Sequence, residues 1–94
     1  MIEIKKTTYV DNGGWIKAVV GHNQVGTINE YAKGRWYVHP IDALMPPGKN
    51  AIHPLELFGE FNSLEAAKEK MDEIIRDYVM SFIDIRTTTL NFIA

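Results

Sequence analysis

Three histidines, His22, His39 and His53, are the first candidates for metal or proton chemistry, and each stands in a separate segment beside a turn or a proline. No two are spaced as His-x-x-x-His, so a metal site would have to be assembled through the fold with, for example, Asp42 or Glu56. The chain has no cysteine, which removes thiolate ligands and disulfides together. Among the hydroxyls, Ser63 reads as part of a helix start and Ser81 as a helix residue, and no Ser/His/Asp constellation is indicated. The carboxylates Glu65, Glu69, Asp72, Glu73 and Asp77 fall largely on the exposed side of one helical stretch, where solvent rather than a paired acid surrounds them. The glycine-bearing segments 11–14 and 21–26 lack both the Lys-Ser/Thr ending of a phosphate loop and the strand-to-helix setting of a dinucleotide site. These residues predict a chain with no catalytic site, no cofactor and no metal.

Binding chemistry is better represented. Lys5, Tyr9, Trp15, Lys17, Tyr31, Arg35, Tyr37 and His39 interleave rings and cations at alternate positions of several extended segments. Gathered on one face of a sheet, they could stack on nucleobases and meet phosphates, or anchor a protein interface through Trp, Tyr and Arg. Cross-strand packing on a solvated sheet is the ordinary explanation for such a set. Counterion release needs several clustered cations, and the formal charge is -2, which favours a protein partner over a nucleic acid.

The elements that must position these residues can be read from periodicity. Residues 2–10 alternate as one strand, with Ile2, Ile4, Thr8 and Val10 on one side and Glu3, Lys5, Thr7 and Tyr9 on the other. Asp11-Asn12-Gly13-Gly14 supplies hairpin chemistry, and residues 15–20 form a second strand with Ile16, Ala18 and Val20 facing one way. Residues 24–31 read as a third strand, weakened by Gly26. Residues 35–39 form a fourth, with Trp36 and Val38 inward and Arg35, Tyr37 and His39 outward, ended by Pro40 for want of an N–H. Residues 40–57 carry four prolines and no period, so they read as a long loop; its apolar residues, Leu44 and Met45 among them, must fold onto the body or meet a partner. From residue 62 to about 85, Leu64, Ala67, Met71, Ile74, Ile75, Tyr78, Val79 and Phe82 recur at spacings of three and four, the stripe of an amphipathic helix. Asn62 or Ser63 can cap it. Residues 87–93 turn β-branched and read as a last strand or extended tail, an edge at which two copies could pair as a homodimer.

Four strands and a helix make an α+β single domain over residues 1–94, an antiparallel meander of about four strands whose apolar face is covered by one long C-terminal helix. The 94-residue length, 46% apolar content and 23% charged content suit one modest core and exclude two. No apolar run approaches the length of a membrane span, and the alternating start has no secretion-signal pattern, so the whole chain is expected to be the mature chain in the cytoplasm. Residues 1–55 hold six Lys/Arg against four Asp/Glu, net +2, and residues 56–94 hold four against eight, net -4. Neither half names a partner.

The run Trp36-Tyr37-Val38, followed by Phe58-Gly59-Glu60-Phe61-Asn62-Ser63-Leu64-Glu65-Ala66-Ala67-Lys68, resembles small phage accessory proteins over about a third of the chain. The Gly-x-Phe-x-Ser-x-Glu-Ala-Ala part also resembles the last strand and helix start of a class of DNA-binding domains that read DNA with the sheet, although those expect an arginine-rich sheet and a short connection. The phage resemblance implies a non-catalytic, anti-CRISPR-like protein that obstructs a host protein or nucleoprotein complex in the host cytoplasm. The expected binding residues are Lys5, Trp15, Lys17, Tyr31, Arg35, Tyr37, His39, Leu44 and Met45. Nucleic acid is the second choice of partner, reached through Lys5, Lys17, Arg35, Trp15 and Tyr37; a small structural or self-associating protein is the third reading.

Overall fold

The computed structural model describes residues 2–81 and 90–93. Strand β1 (Ile2–Lys5) is followed by β2 (Thr8–Asp11), β3 (Trp15–Val20), β4 (Asn23–Ala32) and β5 (Arg35–Pro40). A 3₁₀ turn (Asp42–Leu44), a short helix α1 (Pro54–Phe58), a long helix α2 (Leu64–Met80) and β6 (Leu90–Ile93) complete the order. Strands β2 to β5 form a four-stranded antiparallel sheet in sequence order, and α2 packs on it, which is the expected α+β meander and helix. Among the described residues no helix is long and apolar enough to cross a membrane.

The meander follows from alternation. Ile16 pairs with Ile28 and Ile28 with Val38, so three buried aliphatic residues line up across β3, β4 and β5 and meet Met71, Ile74 and Ile75 of α2. Ile28, Val38 and Met71 are fully buried, each contributing roughly 1.5–3 kcal/mol of apolar transfer before entropy is subtracted. One row further along, Tyr9, Ala18, Gly26 and Pro40 stand opposite one another. Its two central residues are the smallest available, and α2 approaches the sheet there. A Cβ at Gly26 would lie 2.8 Å from Met71 Cε and from the His39 carbonyl oxygen, and 2.9 Å from Pro40 Cα. Close approach of the β5 backbone, with Met71 of α2 above it, therefore explains a glycine that weakens the strand locally.

Several expectations need correction. Residues 2–10 are two strands in two sheets: β1 pairs in parallel with β6, whereas β2 pairs with β3, and the chain changes partners at Lys6-Thr7. The last strand is present as β6. The sides of β2 are inverted relative to the sequence reading. Tyr9 faces α2, where its hydroxyl donates to Asp72 Oδ1 at 2.5 Å with the Lys68 carbonyl at 3.0 Å, while Val10 is 42% exposed on the opposite face. The reason is volume: beside Ala18 and Gly26, a ring fills space that a valine would leave open. Pro40 belongs to β5, paired with Gly26 and buried. The 40–57 loop is folded onto the body through the 3₁₀ turn and α1. Ser63 is the N-cap of α2, its Oγ accepting from the Ala66 N–H at 3.1 Å, and the helix ends at Met80; the expected continuation over 82–85 lies outside the described residues, as do residues 87–89.

Candidate functional site

With the core on one side of the sheet, the alternate residues of β3, β4 and β5 make up the other side. Pairing brings Trp15, Asn29 and Tyr37 into one row across the three strands. The adjacent row holds Lys17, Thr27 and His39, with Val10 of β2 at its end. Inter-strand spacing near 4.8 Å puts the β3 and β5 backbones roughly 9.6 Å apart, and two residues along a strand separate the rows by about 6.7 Å. Val10 and His39 are exposed and the other five are half-buried, as side chains standing on a pleated surface are. Large side chains therefore stand on β3 and β5, and small polar ones lie between them on β4. Asn29 Nδ2 donates to Thr27 Oγ1 at 2.9 Å, which ties the two central residues together.

The end of this face toward the β4–β5 hairpin is organised by side chains remote in sequence. Tyr31 is 47% exposed and its ring centroid is 6.0 Å from that of Tyr37. The Tyr31 hydroxyl donates to Glu60 Oε2, and Arg35 Nη1 donates to Glu60 Oε1. Glu60 is held there because Trp36 and Phe61 exchange backbone hydrogen bonds at 2.9 and 2.8 Å, stitching the segment after α1 to β5. The Arg35–Glu60 pair is open to solvent on both sides, so it contributes little stability, on the order of 0–1 kcal/mol. His53 reaches the same region: its ring lies 5.5 Å from Tyr37, and its Nδ1 accepts from the Leu55 N–H at 3.0 Å as the N-cap of α1.

Set against the sequence reading, Trp15, Lys17, Tyr37 and His39 are gathered on one face, with Tyr31 and Arg35 at its end. Compared with family models, curated proteins and solved structures, the chain matches none. Lys5 stands in β1, in the other sheet, and Tyr9 lies beneath α2. Leu44 and Met45 are 9% and 8% exposed, because the 3₁₀ turn presses that part of the loop onto α2 and Phe58. They line an apolar groove of about 440 Å³ with Pro46, Phe58, Ile74 and Tyr78. Among the described residues no three His, Asp or Glu side chains come together in a metal-binding arrangement.

Glu60, His53, Asn29 and Thr27 were absent from the expected set. The last two were accessible to sequence reasoning, since alternation along 24–31 places Thr27, Asn29 and Tyr31 on one side. Glu60 was not: it is 25 residues from Arg35, and only the bridge between Trp36 and Phe61 brings it near.

Proposed function

We propose that this chain is a non-catalytic binding module that captures a larger protein or nucleoprotein complex on the sheet face opposite α2. One observation carries the reading: two adjacent rows, Trp15–Asn29–Tyr37 and Lys17–Thr27–His39, set rings, a cation and hydrogen-bonding groups side by side on the face away from the core. Trp and Tyr are the residue types that anchor interfaces, and neither row includes a carboxylate. The likeness of residues 36–38 and 58–68 to small phage accessory proteins supports a partner that such proteins obstruct, in the manner of an anti-defence inhibitor.

A nucleic-acid reading has less support from the same geometry. Lys5 lies in the other sheet and Arg35 is engaged by Glu60, which leaves Lys17 as the one lysine or arginine on the two rows. Phosphate-driven binding needs more clustered charge than that.

The test is affinity capture from a host lysate with three forms of the protein: wild type, Trp15→Ala/Tyr37→Ala, and Glu69→Ala on the solvent side of α2. Circular dichroism establishes that each is folded. The expected result is a partner retained by wild type and Glu69→Ala and lost by the double variant. Equal retention by all three overturns the reading.

A further inference from the structure

The two rows form a shallow trough along β4. Its walls are Trp15 and Lys17 on β3 and Tyr37 and His39 on β5, and its floor is Thr27 and Asn29. An extended chain laid along β4 would run over the floor residues between the two walls, whose backbones are roughly 9.6 Å apart. The floor is polar in both senses. With Asn29 Nδ2 donating to Thr27 Oγ1, the Asn29 Oδ1 acceptor and the Thr27 O–H donor match the N–H and C=O groups of a peptide. The one Lys or Arg on the walls is Lys17, and the rows hold no carboxylate. Glu60 at the Tyr31 end is paired with Arg35, Asp42 lies near Thr27 and His39 at the other end, and Glu65, Glu69, Glu73 and Asp77 are exposed on α2.

We propose that the trough takes an extended acidic peptide segment of the partner, laid along β4, with a carboxylate at Lys17 and an apolar side chain two positions away between Trp15 and Tyr37. This rests on the binding-module reading given above and specifies its partner. The two-residue spacing comes from the rows: they lie about 6.7 Å apart, which is the distance between alternate side chains of an extended peptide. Charge complementarity selects acidic over basic segments. The single lysine on the rows, set against the phosphate at every nucleotide, selects peptide over nucleic acid.

The test is an amide-resolved NMR titration of the full chain with three probes. The first is a capped octapeptide in which glutamate and isoleucine alternate at every second position with serines between. The second is the same peptide with lysine for glutamate, and the third an oligothymidylate of eight nucleotides. The acidic peptide is expected to shift the Lys17, Thr27, Asn29 and His39 amides saturably, with affinity about tenfold lower for the Lys17→Met variant and for the basic peptide. A variant whose spectrum keeps the wild-type dispersion is folded; should Lys17→Met fail this check, Lys17→Gln takes its place. No shifts with the acidic peptide, equal binding of the basic one, or tighter binding of oligothymidylate would overturn the proposal. Loss of lysate capture by Trp15→Ala/Tyr37→Ala without acidic-peptide binding sinks this inference alone; unchanged capture sinks the module reading itself.

Discussion

Tyr9→Phe removes a single oxygen from the inner side of the sheet and leaves the ring in place beside Ala18. In the wild type that hydroxyl has one proton, given to Asp72 Oδ1 at 2.5 Å with the Lys68 carbonyl nearby at 3.0 Å. Hydrogen bonds to charged groups contribute about 1.5–3 kcal/mol, and Asp72 is half-buried, so water replaces part of the loss; about 1–2 kcal/mol is expected. For 94 residues an unfolding entropy near 2.1 cal/mol/K per residue converts this to a fall in Tm of about 5–10 °C. A pH dependence accompanies it. Burial first, and then the hydrogen bond to Asp72 and its charge, hold the Tyr9 phenol well above the usual tyrosine range. The folded state therefore keeps this proton after the unfolded chain has begun to release it. The contribution is full below pH ~10 and is lost as the pH rises beyond it, so the deficit of the Phe variant should narrow in alkaline solution. Thermal melts of both proteins at pH 7 and pH 10.5, followed by circular dichroism, measure both effects. A variant melting within about 1 °C of wild type at pH 7, or a gap that widens at pH 10.5, would refute the placement of Tyr9 beneath α2.

Two further substitutions test how the helix is seated. Gly26→Ala forces a Cβ against the His39 carbonyl and Pro40 Cα, backbone atoms that cannot rotate away, and against Met71 Cε, and should cost about 1–3 kcal/mol in urea unfolding; an unchanged midpoint would show that β5 does not pass this close to Gly26. Ser63→Ala removes the oxygen that accepts from the Ala66 N–H and should lower stability by about 0.5–2 kcal/mol with an unchanged urea slope, whereas no loss would place the start of α2 elsewhere.

Much of the architecture was legible because one face of the meander is dry. Alternation located β3 at residues 15–20 and placed β4 and β5 within a residue or so at each end, since the buried positions Ile16, Ala18, Ile28 and Val38 are apolar. It could not say which side of β2 is inward. Val10 is the more aliphatic candidate, yet the space beside Ala18 and Gly26 accepts Tyr9, and that space exists only once three strands are paired. Nor does alternation reveal a change of sheet, which is why Lys5 was assigned to a face it does not share. The prolines of 40–57 concealed α1, although Pro54 at a first helical position after His53 is a recognisable start. Within the site, Trp15, Lys17, Tyr37 and His39 followed from strand period alone. The placement of Glu60 against Arg35 and Tyr31 depends on a tertiary bridge that no local pattern encodes.

The central claim is that α2 covers one face of the sheet and leaves the other for a partner, and two neighbouring residues of β4 report on it directly. Thr27 belongs to the trough, and Ile28 is fully buried under α2. Methyl relaxation measured with a soluble gadolinium chelate should be strongly enhanced at Thr27 and nearly unaffected at Ile28. Equal protection of the two methyl groups would mean that both faces are covered, and the account would be contradicted.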